Sequence, residues 1–199
     1  MAGATPVLLV HGIWDSAAVM TPLKKGLALR GIERIHAIDL LPRSGRASIA
    51  QLGAIVAREA EALAQREGAS HIDLVGFSMG ALVSRWYVQR GGGRERVRRF
   101  VSISGPHRGT LSAHLLPLAA VRDMRPNSAL LRDLAADTDP YGAVDVHCVY
   151  TPFDLLILPP TSSVLPGARS TRAIKVVLHG LMIFDRRVHD HVANILRSA

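Results

Sequence analysis

The feature that most constrains the fold is an alternation of short apolar runs with longer stretches of helical spacing. "PVLLVHG" (Pro6 to Gly12) is apolar almost throughout, as a strand covered on both faces must be. "SAAVMTPLKKGLALRG" follows and reads as a helix that ends near Gly31, with Pro22 close to its first turn. "RIHAIDL" (Arg34 to Leu40) is the second strand, and "SIAQLGAIVAREAEALAQREG" is a helix closed by Gly68. Then come strand "HIDLVGF", helix "MGALVSRWYVQR", strand "VRRFVSIS", and an irregular, partly helical stretch to Ala143. Strands "VDVHCVY" and "AIKVVL" and a final helix "FDRRVHDHVANILRS" complete the chain. Strands joined by helical crossovers predict a mostly parallel, doubly wound α/β sheet. With 199 residues, 48% of them hydrophobic, the chain is long enough for one well-cored domain over residues 1–199 and too short for two.

Composition removes several function classes. The net charge of +8 could suit nucleic acid, but the arginines are scattered. Their one dense cluster, "GGGRERVRRF", has no interleaved aromatic residues, so no nucleic-acid partner is expected. The first strand leads into "HGIWDS" instead of G-x-G-x-x-G, and no G-x-x-x-x-G-K-[ST] occurs, which sets nucleotide binding aside. Cys148 is the only cysteine; it is read as a buried small hydrophobe in its strand, with neither a disulfide nor a cysteine-rich zinc site to serve. No signal-length or membrane-spanning apolar run is visible. A cytoplasmic location is therefore the expectation, with a secreted mature form as the alternative.

Where "HIDLVGF" meets its helix, Gly76-Phe77-Ser78-Met79-Gly80 fits G-x-S-x-G. The motif acquires meaning from its strand-turn-helix setting, which holds a serine hydroxyl above the carboxyl ends of the strands. There the N-terminus of a helix favours developing negative charge. A glycine-flanked helix cap is the bland alternative, since serine caps helices well. A serine nucleophile needs a base, and the base needs a carboxylate. On this kind of sheet the order is serine, acid, histidine, with each beyond a strand end. Asp154 follows "VDVHCVY" and His179 follows "AIKVVL", in that order. Asp145 precedes its strand and belongs to the opposite edge of the sheet, while His189 and His191 are expected on a solvated helix face. The backbone N–H groups of Ile13 and Met79 are the candidate oxyanion donors, and His11 is expected to pack structurally.

Together with "PVLLVHGI", "HIDLVGFSMGALVSRWYV", "VSISGPHRGT", "MRPNSALLRDL", "YTPFDLLILPPTSSVLPGARS" and "VLHGLMIFDRRVHDHVANIL", the chain resembles the α/β-hydrolase superfamily. Within it, the likeness is to small bacterial triacylglycerol lipases and esterases without a large lid domain. The resemblance covers almost the whole chain. It implies a compact α/β-hydrolase fold and ester hydrolysis through an acyl-enzyme, with Ser78 as nucleophile, Asp154 as acid and His179 as base. It also implies no metal and no organic cofactor, and a structural role for His107. Two departures bear on specificity: Phe77 stands where many lipases have histidine, and Trp14 replaces a small residue after the oxyanion segment.

Aliphatic residues around the proposed triad suit a fatty acyl ester or lipid substrate, since each buried methylene contributes about 0.8 kcal/mol. Trp14, Leu156, Ile157, Leu181 and Met182 are the candidate substrate contacts, with transient contact at a lipid interface. A thioesterase, amidase or acyltransferase would use the same machinery, and a non-catalytic hydrolase-like binding module would keep the pocket with a broken triad. The pattern does not specify an oligomeric state.

Overall fold

The computed structural model describes residues 5–198. In chain order it contains β1 (Val7–Val10), a 3-10 turn (Ala17–Met20), α1 (Thr21–Ala28), β2 (Ile35–Ile38), α2 (Ile49–Glu67), β3 (Ile72–Phe77) and α3 (Met79–Arg90). A single-turn α4 (Gly93–Arg96), β4 (Val97–Ile103), a 3-10 turn (Leu111–His114), α5 (Ala119–Asp123), α6 (Ala129–Ala135) and β5 (Asp145–Tyr150) follow. Two further 3-10 turns, Pro160–Ser163 and His179–Ile183, flank β6 (Ser170–Ala173), and α7 (Arg186–Arg197) ends the chain.

The six strands form one parallel sheet in the order β2-β1-β3-β4-β5-β6. Alternate side chains of the same strand enter separate cores, as period-two geometry requires. Leu8 and Val10 of β1 join Leu52 and Val56 of α2 and Leu82 and Val83 of α3. Val7 and Leu9 face the other way, onto Leu23 and Leu27 of α1 and Val188 and Val192 of α7. Each such aliphatic side chain contributes about 1.5–3 kcal/mol on full burial. The doubly wound architecture therefore follows from strands that are apolar on both faces.

Helix α2 shows how local signals set its limits. The Ser48 hydroxyl accepts from Gln51 N–H at 3.2 Å, while Gln51 Oε1 accepts from Ser48 N–H at 2.8 Å. This reciprocal capping satisfies donors that the first turn leaves unpaired. At the other end Gly68 adopts φ 59°, the left-handed closure glycine favours.

The last strand differs from its expected position. "AIKVVL" is not a strand; β6 is the preceding "STRA", an edge strand whose side chains are mostly exposed. Ile174 N–H still donates to Tyr150 O of β5 at 2.8 Å, and beyond it the chain leaves the ladder. Val176 N–H bonds to Ile174 O at 2.8 Å, and the Thr151 hydroxyl donates to Val176 O at 2.5 Å. Ile174 and Val176 still bury their side chains, so an apolar run that sequence reads as strand is a packed irregular segment. Among the described residues no helix is long and apolar enough to cross a membrane.

Candidate active site

Ser78 joins β3 to α3 with φ 55° and ψ −128°, a conformation that costs a residue with a Cβ and is held only by its surroundings. Its N–H donates to Ile103 O at 2.9 Å, and its carbonyl accepts from Ala81 N–H at 3.0 Å. The flanking glycines make the crossing possible. A Cβ on Gly76 would lie 2.5 Å from Ala81 Cα, and one on Gly80 would lie 2.3 Å from the His11 carbonyl oxygen. The Ser78 side chain makes no capping bond to α3, so the cap reading has no hydrogen bond behind it. The residue borders an open cavity.

Asp154 and His179 come together from two different loops. The Asp154 carboxylate is buried and divides its work: Oδ1 accepts from Leu156 and Ile157 N–H, both at 2.9 Å, and Oδ2 lies 2.7 Å from His179 Nδ1. An acceptor held this way fixes the imidazole with its proton on Nδ1. Among the described residues His179 Nε2 is buried without a hydrogen-bond partner, so the structure joins Asp154 to His179 but places no hydrogen bond between His179 and the Ser78 hydroxyl. The imidazole packs on Phe77 with ring centroids 5.0 Å apart. The phenylalanine next to Ser78 thus provides an apolar platform for the ring. Asp145 begins β5 at the far edge of the sheet and pairs with Arg169 at 3.1 Å.

The loop after β1 is braced by His11. Its Nδ1 donates to Gly12 O at 2.8 Å, and its Nε2 accepts from Leu40 N–H at 2.9 Å. Burial lowers its pKa, so the ring is a neutral strut tying β1 to the end of β2. Gly12 lies close to Ser78: a Cβ there would be 3.2 Å from Ser78 Cβ. The Ile13 N–H makes no hydrogen bond among the described residues. Met79 N–H opens α3, where the first donors lack intrahelical partners. Trp14 has φ 61°, a genuine strain for so bulky a residue, and is 56% exposed.

The cavity at Ser78 has a volume of about 210 Å³. Trp14, Leu156 and Ile157, three of the candidate substrate contacts, line it, with Ile13 beside them. Leu181 and Met182 do not. Met182 is fully buried in the core under the other sheet face, and Leu181 borders a separate surface hollow with Lys175 and Phe184. The 3-10 turn that begins at His179 sends these two away from the serine. The remaining wall comes from Thr110, Ser112, Ala113, Leu115, Leu116, Val121 and Met124. Sequence reasoning did not single these out, although the long strandless excursion after β4 was the signal that such a segment carries function.

Other chemistry-bearing residues lie elsewhere. His107 is buried, its Nε2 2.6 Å from Ser102 Oγ, with its pKa pulled well down by burial and then by Arg85. His189 is buried, not solvated: its Nε2 contacts Ile183 O at 2.8 Å, and Gly26 of α1 leaves room for its ring. Burial pushes the Cys148 thiol up to about 11, which makes it unreactive. Among the described residues no group of three or more His, Cys, Asp or Glu is placed to hold a metal ion.

Residues 6–153 match the model of the family described as palmitoyl protein thioesterase. Lipase B of Aspergillus fumigatus superposes with a TM-score of 0.84 at 18% identity, over 98% of this chain and 53% of that one. This chain thus spans about half the length of that lipase. The mature form of a Bacillus licheniformis lipase gives 0.82 at 16% identity, over 98% of this chain and 93% of that one. A structure described with the carboxylesterases of Nitrososphaera gargenis gives 0.65 at 15%, over 98% and 91%. The fold is the α/β-hydrolase fold, as the sequence resemblance implied.

Proposed function

The chain belongs to the palmitoyl protein thioesterase family, and from that premise we propose that it is a serine hydrolase cleaving carboxylic esters of apolar acyl groups through an acyl-enzyme on Ser78. The observation that carries the reading is the Asp154–His179 contact of 2.7 Å, with Nε2 of the histidine left unpartnered. His179 Nε2 takes the Ser78 proton as Oγ attacks the carbonyl carbon. The Ile13 and Met79 N–H groups receive the oxyanion, and Asp154 steadies the imidazolium. Collapse of the tetrahedral adduct breaks the acyl C–O bond, and the same imidazolium protonates the leaving alcohol. Water, deprotonated by His179, then releases the acid and restores the Ser78 hydroxyl. This chemistry requires no metal or organic cofactor.

Cleavage of an acyl C–S bond is the second reading, favoured by the family's description; the oxyanion and base would serve a thiolate leaving group equally. The apolar walls of the cavity suit an aliphatic acyl chain. Trp14, Leu115, Leu116 and Leu156 are exposed around the mouth, and an apolar rim of this kind suits transient contact with a lipid surface.

The test is labelling by a fluorophosphonate followed by peptide mapping, beside kinetics of Ser78→Ala. Stoichiometric modification at Ser78 and a fall in kcat of about a millionfold are expected. Modification at another residue, or activity retained in Ser78→Ala, would reject the assignment. Nitrophenyl esters compared with acyl thioesters of the same chain length separate the two readings.

A further inference from the structure

A second cavity, of about 350 Å³, is lined by residues that the proposed hydrolysis does not use, among them Arg85, His107, Arg108, Asn127, Arg132 and Asp137. Arg85 lies on α3 and is 5% exposed. Its Nε donates to Gln89 Oε1 at 2.6 Å, and its two terminal nitrogens donate to His107 O at 2.9 Å and Leu134 O at 3.1 Å. Every acceptor is neutral, and each terminal nitrogen retains one further proton. A buried guanidinium whose donors are met by carbonyls is hydrogen-bonded without its charge being cancelled, and an uncompensated buried charge is costly. Burial accordingly lowers the Arg85 pKa.

The rim repeats this imbalance. Arg108 and Arg132 are exposed and form no ion pair among the described residues, and the Arg132 guanidinium bonds only to Asn127 O, at 3.0 Å. Asp137 is the one carboxylate on the wall, and it is already engaged: Arg90 at 2.7 Å, Arg94 at 2.5 Å and Gln89 at 3.2 Å. The Arg90 bond leads the effects that hold its pKa down to about 2. Among the described residues His107 Nδ1 is buried with no hydrogen-bond partner. Three arginines from α3, the loop after β4 and α6 thus border one hollow, with no free carboxylate on its wall among the described residues to balance them.

We propose that this cavity is a binding site for a phosphate group, carried by a small phosphomonoester or a lipid headgroup. A carboxylate offers two oxygens and one charge. A phosphomonoester offers three oxygens and a charge of about −1.5 to −2, which matches donors arriving from three elements. The site is separate from the acyl cavity but joined to it in sequence, since Arg108 lies two residues before Thr110 on the acyl wall.

The probe is inorganic phosphate, titrated against the full chain while its thermal midpoint is followed, with potassium chloride at matched ionic strength as control. The wild-type midpoint should rise saturably with phosphate and not with chloride. In Arg108→Gln/Arg132→Gln, which alters only exposed side chains, the half-saturating concentration should increase at least about tenfold. Hydrolysis of a short nitrophenyl ester should be unchanged in that variant, which shows that it folds. Glycerol 3-phosphate and vesicles bearing phosphatidate are parallel arms: tighter binding of the first assigns a soluble ligand, and tighter binding of the second a headgroup. Phosphate acting no better than chloride, or equally on both proteins, would overturn the proposal.

Discussion

Replacing Gly80 with alanine would put a Cβ 2.3 Å from the His11 carbonyl oxygen and 2.5 Å from that of Val10. Both atoms are backbone, so no flexible side chain can move aside. Reaching even the 3.0 Å floor for such contacts requires the His11 carbonyl to move about 0.7 Å relative to α3. That carbonyl lies two residues before Ile13, whose N–H is the proposed oxyanion donor. A displacement approaching 1 Å costs on the order of a hundredfold in a positioned reaction, and loss of one oxyanion donor costs about 10²–10³ in kcat. Overpacking of this kind also costs about 1–3 kcal/mol of stability, or roughly 3–10 °C in Tm for a chain of this size. The expected outcome is a fall of about a hundredfold in kcat for a nitrophenyl ester with a modest change in KM, and a lower Tm by calorimetry. Gly180→Ala is the matched control, because a Cβ there meets nothing within 4 Å. Wild-type activity and an unchanged Tm in Gly80→Ala would refute the argument that this close approach positions the oxyanion loop.

Asp154→Asn should lower kcat by about 10⁴ with little change in fold: the amide oxygen must stay on the Leu156 and Ile157 N–H groups, which turns its NH₂ toward His179 and forces the wrong tautomer. A near-normal rate would contradict this. Ala113→Leu should fill part of the acyl cavity; at about 0.8 kcal/mol per excluded methylene, octanoyl esters should lose roughly fifteenfold in kcat/KM against acetyl esters when two methylenes are displaced, and a uniform loss across the series would count against it. Stability should decline as pH falls below 6.5, the ordinary histidine value, because buried His11 and His107 have lowered pKa values and take up protons only on unfolding. Each steepens the decline by up to about 1.4 kcal/mol per pH unit; denaturant melts at pH 5.5 and 7.5 measure it, and equal midpoints would contradict it.

The sheet was legible because its central strands are apolar on both faces, a pattern few other architectures tolerate. The edge was not: β6 is "STRA", paired on one side only and largely exposed, so it carries no hydrophobic signature, while the apolar run after it keeps only the Ile174 N–H bond to β5 and otherwise packs irregularly. Ser78 and Asp154 could be selected because the ends of β3 and β5 announce themselves in sequence. His179 follows no strand end, since the run before it is a packed irregular segment, yet its 3-10 turn does bring it into contact with Asp154. Leu181 and Met182 could not be placed by proximity to His179, since a 3-10 turn rotates successive side chains to different sides within a few residues. The acyl-cavity residues from Thr110 to Met124 were illegible for a further reason. Their elements are too short for periodicity to register, and their positions depend on distant hydrogen bonds, such as Ala120 N–H to Gly45 O and Ile49 N–H to the Asp123 carboxylate.

Those same tethers divide the chain into parts that can change at different rates. The proposed nucleophile stands at the end of β3, locked between two cores, and the Asp154 and His179 loops are buried against each other, whereas much of the cavity wall is an excursion clamped at a few points, including the Thr110 hydroxyl on Leu156 O at 2.7 Å. Lengthening, shortening or exchanging the segment between the clamps would reshape the cavity while leaving β3 and the proposed nucleophile in place, provided the Ser112 hydroxyl bond to Leu156 O is kept. New substrate preference is therefore accessible through insertions and deletions as well as point substitutions, and a library confined to residues 111–122 should yield altered selectivity at a higher frequency than one spread over the strand ends.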